Sequence, residues 1–263
     1  MEIEIDLIDA CNLSCPLCNR SKHSSKDKYM PLDAWIDIID LHNPSTIYFI
    51  GTRSEHTLYP EFIELCKHIK SKNINIVLST NGCTRTTKWW KELSEVLNCN
   101  DEVRFAIDGI TQEVYEKYRV GGSLQRVLDN HKAFGSGIIQ YIEFDHNKHE
   151  DITEFVKMFD GVRIINSSQS DTDIRPRDAV NKTYDILNNI DKDVIVCETK
   201  DKMVFVNYNG DTSPCCHYNE HLVLKGHEWN KGYEEIENGD YDFCKIICGK
   251  RSSLIRKHLN IEL

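Results

Sequence analysis

Over residues 1 to 167 the sequence alternates about six times between two hydrophobic patterns. Ile3 to Ile8, Thr46 to Ile50, Ile74 to Thr80, Glu102 to Ile107, Ile138 to Phe144 and Val162 to Ile165 are short runs rich in β-branched and aromatic residues. Each ends in polar residues or glycine and reads as a strand. Between them Leu32 to Leu41, Pro60 to Lys70, Lys88 to Leu97, Gln112 to Tyr118, Leu124 to Phe134 and Ile152 to Phe159 carry helical spacing, the first of them after Pro31. Parallel strands need a crossover of roughly a dozen residues or more, usually a helix. The repeat therefore predicts an α/β fold with right-handed crossovers, its parallel sheet open or curled into a partial barrel. In such folds the working edge lies at the C-terminal ends of the strands.

The pattern changes after residue 167. Residues 168–192 read as a polar linker (SQSDTDIRPRD) followed by one helix over Ala179 to Ile190. Residues 193–263 form a second unit, in which VIVCE and MVFVNY flank TKDK like a β-hairpin, NGDTSPCC supplies turn chemistry, and Ser252 to Leu259 makes a short terminal helix.

Charge and hydropathy narrow the partners. Lys and Arg number 32 against 42 Asp and Glu, a net charge of −10. Nucleic acid and anionic membrane both need a cationic face and are not expected as main partners. No apolar run approaches the ~18 residues of a membrane span, and MEIEIDLIDA has neither the basic start nor the apolar stretch of a signal peptide. A cytoplasmic, reducing location is expected. The 11 cysteines then need another explanation than disulfides. Their odd number and uneven clustering favour metal or cluster ligation.

Cys11, Cys15 and Cys18 form C-x3-C-x2-C directly after the first strand, in DACNLSCPLCNR. A loop at a strand end can wrap a small inorganic body, and soft thiolates select zinc or iron–sulfur centres. Zinc would want a fourth ligand, for which His23 is the nearest candidate. A [4Fe-4S] cluster held at three irons would leave the fourth open to a small chelating ligand.

Placed after strand one of a six-fold βα pattern, this motif resembles that of the radical S-adenosylmethionine (SAM) enzymes. Three further segments agree in order and position. IYFIGTRSEHTLYPEF follows strand two where the family has a glycine-rich segment ending in Gly-Glu-Pro; Gly51 and Glu55 fit, with Ser54 and His56 replacing Gly and Pro. Strand three ends in LSTNG, containing Thr80 and Asn81, and strand four in FAIDG, containing Asp108 and with Ala106 in place of a serine. Tyr118 and Arg119 fall where relatives carry an arginine.

The resemblance implies a partial (β/α)6 barrel over residues 1–167, a SAM-binding [4Fe-4S] cluster on Cys11, Cys15 and Cys18, and SAM itself. It implies that Gly51 and Glu55 face the SAM ammonium, that Arg119 pairs with its carboxylate, that Thr80, Asn81 and Asp108 line the cofactor, and that Leu17 replaces an aromatic neighbour of adenine. The chemistry implied is reductive cleavage of SAM to a 5′-deoxyadenosyl radical, which abstracts hydrogen from a substrate. The expected net reaction is a two-electron oxidation, making the chain a radical SAM oxidoreductase, with flavodoxin or ferredoxin as the electron donor. The alternatives are a peptide-modifying maturase and a non-catalytic iron–sulfur or zinc protein.

Cys197, Gly210 and Cys215 give C-x12-G-x4-C, and Cys244 and Cys248 give C-x3-C. This resembles the shortened "twitch" version of the SPASM extension, implying an auxiliary [4Fe-4S] cluster in a hairpin-plus-helix domain over 193–263. Cys216 could replace Cys215, and zinc could replace the cluster. Cys66, Cys83 and Cys99 are expected as small apolar fillers, and Trp89 and Trp90 as core. His146, His149 and Glu150, in FDHNKHE after strand five, are candidate general acids or bases, with helix capping by Asn147 as the structural alternative. The acidic stretch Glu234 to Asp242 reads as a solvated face. A first strand at residue 3 leaves no peptide-recognition domain ahead of it, so a small molecule, a sugar or a carrier-borne peptide side chain is the expected substrate.

Overall fold

The structure is a computed structural model that describes residues 1–16, 18, 28–50, 54–159, 161–166 and 203–213. In chain order it contains β1 (Glu2–Ile5), α1 (Leu32–His42), β2 (Thr46–Phe49), α2 (Phe62–Ser71), β3 (Asn75–Thr80) and α3 (Thr87–Val96). There follow β4 (Glu102–Ala106), α4 (Gln112–Tyr118), α5 (Leu124–Phe134), β5 (Ile138–Glu143), α6 (Thr153–Val156), β6 (Val162–Asn166), β7 (Met203–Val206) and β8 (Thr212–Ser213).

One sheet has the order β6-β5-β4-β3-β2-β1-β7-β8. The first six strands pair in parallel with their sequence neighbours. No strand order reverses among them, so the winding is that of a barrel wall rather than of a doubly wound sheet. The wall does not close: β7 pairs in parallel with β1 and occupies the edge that closure would need. The expected α/β partial (β/α)6 barrel is the fold observed.

Alternation along the strands sets the layers. Ile47 and Phe49, Ile76 and Leu78, Val103 and Phe105 are buried on one face. The opposite face carries the half-buried Tyr48, Val77, Ser79 and Arg104, as period-2 side-chain direction requires. Trp35 and Trp90 are fully buried in the core, Trp90 packing 4.8 Å from Phe105, while Trp89 is half-buried at its rim. Burying such side chains stabilises the wall by roughly 1.5–3 kcal/mol each.

Helix starts follow the sequence. Thr86, Thr111 and Ser123 accept from the backbone N–H groups of Trp89, Val114 and Arg126, each satisfying a donor that the helix leaves open.

The differences are local. The first strand ends at Ile5 rather than Ile8, because the Leu7 N–H turns to His56 Nδ1 at 3.4 Å and Ile8 pairs only as an isolated bridge with Tyr29. The expected helix over 152–159 is the single turn of α6. Cys66 and Cys83 are buried as expected, but Cys99 is exposed. It lies in the turn after α3 that Asp101 closes by accepting the Asn98 N–H at 2.8 Å. MVFV forms β7, whose antiparallel partner is β8, across a turn where Gly210 takes φ +84. The VIVCE run, the 168–192 linker and the terminal helix lie outside the described residues. No described helix is long and apolar enough to cross a membrane.

Candidate functional site

Five loops meet at the C-terminal edge of β1 to β5, and each brings side chains named above. After β1, Cys15 is buried and Cys11 and Cys18 are half-buried. Cys11 Sγ accepts from Leu13 N at 3.5 Å and from Asn81 Nδ2 at 3.6 Å; Arg119 Nη1 lies 4.0 Å from Cys15 Sγ. Burial, then the charges of Glu55 and the other thiols, pushes the Cys11 thiol up to about 12. Burial also raises Cys15, against the pull of Arg119. Thiolates grouped here would need positive compensation of the kind a thiophilic metal centre supplies.

Glu55 follows β2 and is 2% exposed. Its Oε1 accepts from Thr57 Oγ1 at 2.5 Å and Thr80 Oγ1 at 2.8 Å; its Oε2 accepts from Asn81 N at 2.8 Å. Burial raises its pKa and these donors pull it back. The Glu55 N–H donates to Ala10 O at 2.8 Å, tying this loop to the cysteine loop. His56, beside it, is fully buried, and burial lowers its pKa to about 3.

Asp108 follows β4 and is wholly buried. Its Oδ2 accepts from Arg119 Nε at 2.5 Å and its Oδ1 from Ile142 N at 2.8 Å. Burial would lower the Arg119 pKa, but Asp108 overrides it and the guanidinium stays firmly charged. That guanidinium also lies over the Tyr118 ring at 5.1 Å. With Nε given to Asp108, the Nη side of the fork faces the cysteine loop.

The candidate acids and bases separate. Glu150 is engaged, accepting Ile110 N at 3.1 Å and Tyr141 OH at 2.9 Å. His149 is exposed. His146 is half-buried and stacks on Phe144 at 5.4 Å, and among the described residues neither ring nitrogen has a hydrogen-bond partner; burial lowers its pKa. Asn147 caps no helix among the described residues. Its amide joins Asp108 O, Ile142 O and Phe144 N at 3.0, 2.9 and 2.6 Å, pinning the loop after β5 to the loop after β4.

Several contributors carry no sequence signal. Asn12 accepts from Asn81 Nδ2 at 2.9 Å. Asn130 on α5 holds the carbonyls of Gly82 and Thr84 at 2.8 and 3.1 Å, fixing the turn in which Gly82 takes φ +68. Arg85 donates to Thr57 O and Tyr59 O, bracing the segment after Glu55. Leu17 and Gly51, and the second cysteine set Cys197, Cys215, Cys244 and Cys248, lie outside the described residues.

With this geometry in view, the comparisons with known proteins agree. Residues 5–159 match the Radical SAM superfamily, more than half of the chain, and the chain belongs to that superfamily. Among curated proteins it is 28% identical over 96 residues to a tungsten-containing aldehyde ferredoxin oxidoreductase cofactor-modifying protein of Pyrococcus furiosus, a match covering 35% of this chain and 27% of that protein. The chain thus spans about a quarter of that relative's length. Among solved structures, Streptococcus suis SuiB bound to S-adenosylmethionine has TM-score 0.64 at 15% identity, covering 95% of this chain and 68% of that one. SuiB bound to the precursor peptide SuiA has TM-score 0.58 at 15% identity, covering 91% and 64%. At such identity the likeness shows the shared fold.

The superfamily implies a [4Fe-4S] cluster and SAM. The donor set fits: three thiols, an arginine and two N–H donors face one another at the edge. Among the described residues no three His, Cys, Asp or Glu side chains close up as a single metal ion would require.

Proposed function

We propose that this chain cleaves SAM reductively and takes a hydrogen atom from a substrate C–H bond, in a net two-electron oxidation. The observation that supports it most is the juxtaposition at one strand edge of the three N-terminal thiols with the Asn81 amide and the Asp108-held Arg119. When bound, the [4Fe-4S] cluster and SAM supply the electron and the 5′-deoxyadenosyl radical, and an auxiliary cluster supplies one-electron acceptance.

Cys11, Cys15 and Cys18 would hold three irons and leave the fourth open. Glu55 Oε2 would take the SAM ammonium, and the Nη side of Arg119 its carboxylate, each a charge-assisted contact. Thr80 would hold Glu55 in place, Leu17 would lie beside adenine, and Gly51 beside the ammonium. His146, with both nitrogens uncommitted among the described residues, is the group that would accept the proton released when the substrate is oxidised. Cys197, Cys215, Cys244 and Cys248 would hold the auxiliary centre, and a flavodoxin or ferredoxin would deliver the first electron.

The test is anaerobic incubation with dithionite and SAM. 5′-Deoxyadenosine should form, from protein carrying about eight iron and eight sulfide per chain, four for each cluster. Stoichiometric zinc without sulfide would instead establish the zinc-stabilised binding module. A second reading, modification of a peptide, has one observation in its favour: a structural neighbour is bound to a precursor peptide. Deuterium transfer into 5′-deoxyadenosine from labelled peptides, set against labelled sugars, separates the two.

A further inference from the structure

Asn81 follows β3, and its side-chain amide has only one orientation open to it. The Cys83 N–H donates to Oδ1 at 2.8 Å, which fixes the acceptor end. The NH2 group therefore faces the other way, toward Asn12 Oδ1 at 2.9 Å and Cys11 Sγ at 3.6 Å. An amide NH2 has two hydrogens, and these two acceptors use both. The residue cannot swing aside. Its own backbone N–H is bound to Glu55 Oε2 at 2.8 Å, and Asn130 clamps the carbonyls of Gly82 and Thr84 that follow.

We propose that Asn81 sets the reduction potential of the iron–sulfur centre by donating its side-chain N–H to the Cys11 thiolate. This rests on the reading that Cys11, Cys15 and Cys18 hold that centre. A hydrogen bond to a ligating sulfur stabilises the redox state with more electron density on sulfur, which is the reduced one, so it raises the potential. The step is the uptake of one electron, from dithionite in the test below, with Asn81 neither oxidised nor protonated. The Leu13 N–H, at 3.5 Å from the same sulfur, is a backbone donor that persists whatever stands at position 81. Changing Asn81 thus removes one of the two donors found among the described residues and leaves the ligands intact. The requirement is narrow: aspartate has no hydrogen to give, and alanine does not reach.

The experiment is an anaerobic redox titration of the reconstituted full chain without SAM, followed by the electron paramagnetic resonance of the reduced cluster, using the signal that later addition of SAM perturbs. Wild type is compared with Asn81→Ala, which removes the amide, and Asn81→Asp, which keeps an acceptor for Cys83 N–H but no donor for sulfur. At a fixed poise the ratio of reduced to oxidised cluster should fall about fivefold to tenfold in Asn81→Ala, a tenfold change being about 59 mV for one electron. Asn81→Asp should fall further, because it also adds negative charge, and iron and sulfide should match wild type in both. Unchanged midpoints in both variants overturn the proposal, as does loss of iron from both, which would make Asn81 a scaffold for the loop. A wild-type chain that holds no iron and sulfide overturns the cluster reading itself, and is told apart because it fails before any variant is compared.

Discussion

Arg119 and Asp108 form the pair on which the site's charge balance turns, and the two halves should not be equally costly to remove. Asp108 is wholly buried, whereas the Arg119 side chain is 14% exposed. In Arg119→Gln the Asp108 carboxylate keeps the Ile142 N–H as a donor but loses the one cation paired with it among the described residues. Breaking a buried pair from one side costs about 3–5 kcal/mol. Loss of the guanidinium over Tyr118 adds roughly 0.5–2 kcal/mol. In Asp108→Asn the stranded charge is the arginine, which solvent reaches, so the loss should lie at or below the bottom of that first range. At about 2–4 °C per kcal/mol for a chain of this size, Arg119→Gln should lower Tm by roughly 7–28 °C, and Asp108→Asn by less. The double variant faces two amides toward each other and should lose less than the sum, with a coupling of about 0.5–3 kcal/mol. Thermal unfolding followed by circular dichroism on the three variants closes the cycle. Additive losses, or a greater loss for Asp108→Asn, would refute the reasoning.

His56 should give the acid limb of stability: its pKa is about 3 folded against about 6.5 unfolded. Above the unfolded value neither state binds the proton; as pH falls below it only the unfolded chain does, so stability drops by up to about 1.4 kcal/mol per unit until pH nears the folded value. Urea midpoints from pH 7 to 4 should decline less steeply in His56→Gln, and parallel curves would contradict this. Gly109→Ala should cost about 1–3 kcal/mol or more, because a Cβ there would clash with the backbone nitrogen of Tyr115; a lowered urea midpoint at unchanged m checks it. Changing Cys244 and Cys248 together to alanine should leave about four iron per chain and preserve SAM cleavage, read as 5′-deoxyadenosine by chromatography. Loss of cleavage would count against separate clusters.

The fold was legible because its signals are local. β-Branched runs, threonine and serine N-caps and the glycine at 135 that ends α5 in a left-handed conformation (φ +96) all act within a few residues. The pairing of β7 with β1 was not, since it depends on which edge remains open once six strands have been wound. Asp108, Asn81 and the three cysteines could be singled out by motif, yet not their commitments. Asp108 reaches Ile142 across 34 positions, and Glu150 reaches Ile110 across 40. No periodicity encodes such pairs. Glu150 therefore looked like a candidate base in the sequence, while in the structure it is a tie between loops.

Those long-range bonds follow the order of the sheet. Cys11, after β1, meets Asn81, after β3; Asn81 meets Glu55, after β2; Asp108, after β4, meets Ile142 in β5. Glu55 is tied to the cysteine side and Asp108 to the β5 side, with no described hydrogen bond between these two. Glu55→Gln places an amide nitrogen against either the Asn81 N–H or the Thr57 and Thr80 hydroxyls, and an unsatisfied buried donor costs about 1–3 kcal/mol. Combined with Asn81→Ala, which perturbs the same turn, the losses should couple by about 0.5–3 kcal/mol; combined with Asp108→Asn, they should add within about 0.5 kcal/mol. Urea unfolding of the two double variants measures both terms. Equal coupling in the two cycles would mean that the edge responds as one body, and that the neighbour-to-neighbour reading of the site is wrong.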